Sequence, residues 1–565
     1  MKAGNQRSPN GCREVRMKRH CCLVLAVAMS AGLAMVGRVE TIGGTTYDWF
    51  ADGPAQPWVL FDPDYGIHAA WRYSADTGSS HPDRNVRYNF YDWSAHAWNW
   101  IDPDFMQSGV NLWGERVGAA SCDVSPVTHV LYACAHTGTP PHLTAARDLA
   151  PGSGMFEYCS GSPEADSLAW PKISISSSGR MHAAACRPDD YELYYTGIAS
   201  WCQWLEPFRV APPLPDPDYP SYAIAASKVL PLVAVVWAAP DSARLRLYYR
   251  ISTDDGETWL PPDSISLPPA FTPGSDTAVS IGSSDVYPWY DPDDNEQDKL
   301  QTVVAVHPVV SGQGKVAPVE LWHWREAAGW TRIARVQCDS AHLAGGPGTG
   351  SLLAGRPSLA RHSLTRDLVC IWEQFDSANV EPRTGLLRAD IWAARGDSIG
   401  GRWGRPVRLT SPDTTSKRFP SLAGRTLSDT FVVTYEVDQC AGCALFFEGP
   451  GTENPVLAHY VSMNDLPMYG SAVAEPAGPR RIELAAGPNP VRDEVTFCAK
   501  LGSAVDARVR VCDALGRTVA LLGQGRLSAG VHTWRWKPAQ TCAGVYFCAL
   551  DAGGASARTK VIVER

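Results

Sequence analysis

The chain has 565 residues, with 50 Lys+Arg against 59 Asp+Glu, a formal net charge of −9 at pH 7 and a pI near 5.9. That balance excludes a basic nucleic-acid binder and a protein drawn to anionic membrane surfaces. With 45% hydrophobic and 19% charged residues the chain can bury a large core, and its length exceeds what one core ordinarily supports, so more than one domain is expected.

In chain order, Met17-Lys18-Arg19-His20 leads into the apolar run from Cys21 to Val36. This is a signal-peptide pattern: a membrane span needs about 20 apolar residues, and Gly32-Leu33-Ala34 offers small residues for cleavage. A single N-terminal anchor is the alternative. Met17 is a better start than Met1, because the residues before it are polar and patternless, and residues 1–37 are assigned to this extension and leader. No later window is long and apolar enough for an integral span. Of sixteen cysteines, three fall at or before the leader and thirteen remain, an odd number. Export permits disulfides, such as Cys440–Cys443 or a pair among Cys498, Cys512, Cys542 and Cys548. Cys440-Ala441-Gly442-Cys443 lacks a second CxxC or a nearby His, so a loop disulfide or free thiols fit it better than zinc.

A compact apolar run returns seven times, starting at His68, His129, His182, Val233, Val303, Leu368 and Phe431, at spacings of 61, 53, 51, 70, 65 and 63 residues. Each suits a strand buried on both faces, and the surrounding Gly, Pro, Asp and Ser break any helix. A second, aromatic strand follows most copies, at Arg87–Phe90, Glu192–Tyr195, Leu247–Arg250, Leu321–Trp324 and Asp390–Trp392, and then a tryptophan, at 98, 204, 259, 330 and 403. Four short antiparallel strands per repeat describe a propeller blade, and large residues between blades account for the 21 Trp and 20 Tyr. The fold class is therefore all-β: a seven-bladed, alternatively six-bladed, β-propeller over residues 45–463. Two smaller propellers or a chain of sandwiches are disfavoured by the continuous spacing.

The turn Ser252-Thr253-Asp254-Asp255-Gly256-Glu257-Thr258-Trp259 matches the Asp-box motif, and through it the propeller resembles the sialidase-like (BNR-repeat) superfamily. The motif, with Ser252 and Thr258 among its defining residues, is local physics: an Asp side chain accepts backbone N–H bonds across the hairpin, Gly256 supplies a positive φ, and Trp259 fills the space beside the next blade. The resemblance implies a fold and places the motif opposite the family's active site. It does not carry activity across, because neither the three-arginine, Tyr-Glu and Asp set nor the Arg-Ile-Pro opening of the family can be mapped.

Candidate chemistry lies in the loops after each second strand, which are long at Arg72–Arg84, Gln374–Thr384 and Val437–Gly451. Arg72, His307, Glu373 and Glu436 follow the buried strands and share one rim if the blades close in order, while Trp71, Trp372 and Tyr435, one position earlier, point into blade packing. Glu373 and Glu436 could form a glycosidase carboxylate pair, with Arg72 holding an anionic group. Alternatively each caps a strand end, and sequence spacing does not fix the distance between blades. Asp-Pro-Asp triplets begin at Asp62, Asp102, Asp216 and Asp291 and are first of all turn chemistry. The fullest, with Asp291, Asp293 and Asn295, offers oxygens for calcium or is a solvated acidic loop. No motif supports NAD, ATP or zinc.

Residues 464–481 read as a linker rich in Pro, Ala and Gly, and residues 482–565 as a small antiparallel Ig-like sandwich. Pro488-Asn489-Pro490, Asp513-Ala514-Leu515-Gly516-Arg517, Gly530-Val531-His532-Thr533-Trp534 and Gly544-Val545-Tyr546-Phe547 together resemble the type A C-terminal sorting domain of the type IX (Por) secretion system, a relative of flagellar hook-capping modules. The resemblance implies export through the periplasm, recognition of residues 482–565 by outer-membrane secretion machinery, and release or anchoring at the cell surface. An ordinary accessory Ig-like domain is the alternative. The expected function is binding of an extracellular glycan or protein. A sialidase-like or other glycoside hydrolase and a structural surface-layer component are the alternatives.

Overall fold

The computed structural model describes residues 36–564 apart from short internal segments, namely 51–55, 162–166, 215–220, 242–243, 272–276, 292–298, 312, 327, 339–344, 427, 470–482, 502–504, 515–516, 529, 539–540 and 553–554. The proposed leader therefore lies outside the described residues. No helix among the described residues is long and apolar enough to cross a membrane. The chain divides into two compact units, Met1–Gly470 and Ser471–Arg565.

The regular structure of the first unit is β-strand apart from three short 3-10 turns among the described residues, in a propeller-like arrangement of seven small antiparallel sheets taken in chain order. Their first strands are Val59–Asp62, Ala120–Val124, Ala169–Ile175, Tyr222–Ala226, Thr277–Trp289, Ala354–Arg361 and Ser416–Leu422. Each of the seven apolar runs sits in the second strand of its sheet or leads into it, from Gly66–Tyr73 in sheet 1 to Thr430–Asp438 in sheet 7. The aromatic segments form third strands, and Trp98, Trp204 and Trp330 lie in the fourth. Trp259 and Trp403 instead sit in the turns before theirs.

The first strand of each sheet touches the first strand of the next, and sheet 7 touches sheet 1, so the contacts run in a circle. Hydroxyls on these strands satisfy the backbone of the neighbour. Ser121 Oγ accepts from Ile173 N at 3.0 Å, Ser174 Oγ from Ala226 N at 3.0 Å and Ser358 Oγ from Leu422 N at 3.2 Å. Ser421 Oγ closes the circle by accepting from Trp58 N at 2.7 Å. An inner strand buried between sheets has no other partner for such groups, and an unsatisfied buried N–H is costly.

Sheet 7 supplies the second closure. Its outer strand is Arg38–Thr45, from the start of the described chain, paired antiparallel with Asn454–Ser462. The ring thus takes in residues before 45. Gly43 permits this: a Cβ there would lie 2.1 Å from Trp71 Cζ2.

The second unit has two sheets around one core. Glu483–Gly487, Val495–Leu501 and Gly530–Trp536 form one, and Thr518–Leu527, Val505–Asp513, Gly544–Ala552 and Ala555–Val563 the other. Phe497, Val509, Val511, Cys548, Leu550 and Val561 fill the space between. The Asn489 side chain pins the lead-in turn to the last strand, donating to Lys560 O and accepting from Ile562 N, both at 2.9 Å. Asp513 holds its own turn by accepting from Arg517 N at 2.9 Å and Arg517 Nε at 2.7 Å.

One disulfide is present among the described residues, Cys159–Cys202, joining the outer strand of sheet 2 to a turn of sheet 3. It was not among the expected pairs. Cys440 and Cys443 are buried and unbonded, and the C-terminal thiols are not bonded to one another. Cys443 Sγ instead donates to Asp48 Oδ1 at 3.2 Å.

Candidate functional site: an axial cavity and a buried carboxyl cluster

The turns joining first to second strands gather at one end of the ring, and the starts of the first strands at the other. A cavity of about 340 Å³ lies where the first strands converge. Its aromatic walls are Phe61, Tyr287, Trp289 and Tyr290. Its charged lining is Lys172, Lys228 and Arg425 against Asp62, Asp64, Asp123 and His129. Most of these follow from position on or just beyond an inner strand, where the edge of the strand faces the axis. Lys228 is fixed: its Nζ donates to Asp123 Oδ2 at 2.5 Å and to the carbonyls of Ile175 at 2.7 Å and Val124 at 3.1 Å. Burial lowers its pKa and the Asp123 carboxylate opposes that shift.

At the rim, Asp62 Oδ1 accepts from the backbone N–H of Asp64 and Tyr65 at 2.9 and 3.0 Å, the expected turn of an Asp-Pro-Asp triplet. Its second oxygen meets His129 Nδ1 at 2.8 Å, and Asp64 Oδ2 lies 3.8 Å from His129 Nε2.

The four residues singled out past the second strands do not line this cavity. Arg72 is buried with its guanidinium over the Tyr47 ring, 5.2 Å from its centre. His307 Nδ1 donates to Lys315 O at 3.1 Å, and burial lowers its pKa. Glu373 is 0% exposed. Arg356 Nη1 contacts its Oε1, while Arg418 Nε and Phe419 N reach its Oε2 at 3.2 and 3.0 Å. Burial resists ionisation of Glu373, but the two guanidinium groups prevail and hold its pKa below the usual value. Glu436 is also fully buried, its Oε1 accepting from Asn454 Nδ2 at 2.6 Å. Burial pushes its pKa well up, aided by the nearby charges of Asp438 and Asp48.

Glu373 and Glu436 thus approach from adjacent sheets toward Arg418, which stands opposite Glu436 in strand register. Around them burial drives Asp285 up to about 7 and Asp438 up to about 8. Asp285 accepts from Arg356 N at 2.5 Å. Trp71, Trp372 and Tyr435 are buried in the hydrophobic clusters. Asp291 is buried against Arg361 and Arg366, so the protein's own cations occupy its carboxylate, whereas Asp293 and Asn295 lie outside the described residues.

In the Asp-box, Asp254 Oδ1 accepts from Ser252 Oγ and Thr258 N, both at 2.8 Å, and Ser252 Oγ accepts from Gly256 N at 2.8 Å. Gly256 has φ +84°, and Trp259 packs 4.7 Å from Tyr195 in the preceding sheet. The motif thus docks one sheet on another.

Sequence reasoning did not single out Lys172, Lys228, Arg425, Asp123 or the pairing of Asp62 with His129. Asp62 opens an Asp-Pro-Asp triplet and His129 begins an apolar run, so both carried a visible mark. What was missing was that one turn faces the other.

No family model matches the chain, and no curated protein matches it in sequence. Solved structures similar to it include the polysaccharide lyase Uly1, at TM-score 0.42 and 8% identity over 74% of this chain and 92% of that one. The NanB sialidase of Streptococcus pneumoniae gives TM-score 0.38 and 11% identity over 77% and 71%. The catalytic domain of a Coprinopsis cinerea GH62 α-L-arabinofuranosidase gives 0.28 and 11% over 54% and 99%. The likeness is low in both sequence and geometry.

Proposed function

We propose that the first unit is a seven-bladed, sialidase-like propeller that binds an extracellular glycan in its axial cavity. The observation that carries this reading is the lining of the cavity, in which aromatic faces stand beside both cationic and acidic groups. Sugars present apolar ring faces together with rings of hydroxyls, and concave sites pairing aromatic walls with a few placed polar groups take such ligands. Three cationic side chains are balanced by three carboxylates, and Lys228 is already paired with Asp123, so the lining matches a glycan through its aromatic faces and mixed polar groups, not through a net charge. In the same proposal, residues 482–565 form an Ig-like sorting module read by the outer-membrane secretion machinery, and the mature chain is released or held at the cell surface. A glycan array carrying neutral and acidic oligosaccharides tests the ligand, and a blank array rejects it. Deleting residues 482–565 tests sorting: retention in the periplasm supports it and unchanged surface delivery rejects it.

A glycoside hydrolase is the second reading; the sialidase and the arabinofuranosidase among the similar structures have that activity, whereas the polysaccharide lyase does not. Its own observation is the split between Glu373, held ionised, and Asp285, held protonated up to about pH 7, on either side of Arg356. Divergent carboxyl pKa values are how acid and base roles are assigned. Turnover of aryl-glycosides that disappears in Glu373→Gln at a temperature where that variant is folded would support it, and no turnover by the wild type on the panel would exclude it.

A further inference from the structure

The rim of the axial cavity carries a donor set that neither reading uses. Asp62, Asp64 and His129 each offer one ligand atom, and the three atoms lie within 4.8 Å of one another. We propose that these residues hold a divalent transition-metal ion at the edge of the cavity, leaving coordination positions open toward it.

The donor chemistry selects the ion. Calcium and magnesium take oxygen ligands, whereas one imidazole with two carboxylates suits manganese or zinc. Asp62 is preset: two backbone N–H groups fix its Oδ1 and leave Oδ2 directed at His129. The hydrogen bond between Oδ2 and Nδ1 puts a proton where a cation would bridge the same two atoms. Metal binding displaces such protons.

A second observation stands apart from the cluster. His68, on the adjoining second strand, is fully buried, with Nδ1 on the Tyr88 hydroxyl at 2.8 Å and no partner for Nε2. In sheet 3 the corresponding His182 has both ring nitrogens engaged, by Tyr195 and by Asp255. Leu60 stands opposite His68 in strand register, two residues before Asp62 and on the same face of its strand. A polar group or water held on this face of sheet 1 is the kind of partner the orphaned nitrogen lacks.

Mn²⁺ is the probe, because the exposed thiols of Cys498 and Cys542 would compete for Zn²⁺. Mn²⁺ is titrated into the full chain and free ion is counted by electron paramagnetic resonance. The expected result is one Mn²⁺ per chain, displaced by Zn²⁺ and bound at least tenfold more weakly by Asp64→Asn and by His129→Gln. Asp64 is 67% exposed, so its substitution leaves the fold intact. The exposed control Asp465→Asn binds as wild type. No saturable Mn²⁺ binding, or equal affinity in Asp64→Asn, overturns the proposal, and it does so whether or not a glycan binds.

Discussion

Asp255, in the Asp-box turn of sheet 4, reaches across to His182 in sheet 3, with Oδ1 3.2 Å from Nε2. Ser178 Oγ donates to its other oxygen at 2.6 Å, and Arg180 Nη1 donates to its backbone carbonyl at 2.8 Å. Burial resists ionisation of Asp255, yet His182 and the serine hydroxyls outweigh it and hold the carboxyl well below the usual range. A motif read for its local turn is thus also a clamp between sheets.

Asp255→Ala should cost about 1–3 kcal/mol, since it leaves the fully buried His182 without one of its partners. A depressed carboxyl pKa contributes stability that is present above the unfolded value of about 3.9 and is lost as pH falls through the folded value. The gap between wild type and variant should therefore narrow on acidification. Glu257→Ala, which removes an exposed partner of Arg180, should change little. Urea denaturation of the three proteins checks both points.

Glu373→Gln should be among the most damaging single changes in the first unit. It strips the carboxylate from between two buried guanidinium groups, and breaking a buried ion pair costs about 3–5 kcal/mol. Equilibrium unfolding measures the loss. A change below about 1 kcal/mol would show that the Arg356–Glu373–Arg418 group is not structural.

Alkaline pH should weaken the first unit. Asp285 and Asp438, raised by burial to about 7 and about 8, keep protons that the unfolded chain has released since about pH 3.9. The folded state then binds more protons than the unfolded one, so stability falls as pH rises through that window. The melting temperature should decline from about pH 4 to about pH 8, and Asp438→Asn should flatten the decline, most plainly between pH 7 and 8 where Asp285 has already released its proton. An equal slope in the variant would refute the assignment.

Ring closure should depend on Gly43. A valine there collides with the Trp71 ring, so Gly43→Val should displace the strand Arg38–Thr45 from sheet 7. Limited proteolysis should then cut ahead of residue 46, and the melting temperature should drop. Ser421→Ala, which removes the acceptor for Trp58 N, should act in the same direction by about 1 kcal/mol.

The repeat was legible because a strand buried on both faces must be apolar throughout, and seven such runs stood out at near-regular spacing. Strand Arg38–Thr45 was not, since Arg38, Glu40, Gly43 and Gly44 give it no apolar pattern and its partner lies more than 400 residues away. Glu373 and Glu436 were found by their place after an apolar run, although both lie within their second strands, Leu368–Val380 and Thr430–Asp438. Their burial was invisible, because it depends on Arg356, Arg418 and Asn454 arriving from elsewhere. The axial cavity is built from short runs of several separate sheets, and no local motif records that they meet.

The most direct test is titration of an array-selected oligosaccharide into wild type, Lys172→Glu and Glu373→Gln by calorimetry. Binding that is retained in Glu373→Gln and lost in Lys172→Glu, each at a temperature where the variant is folded, places the ligand on the axis. Undiminished binding by Lys172→Glu would contradict that placement.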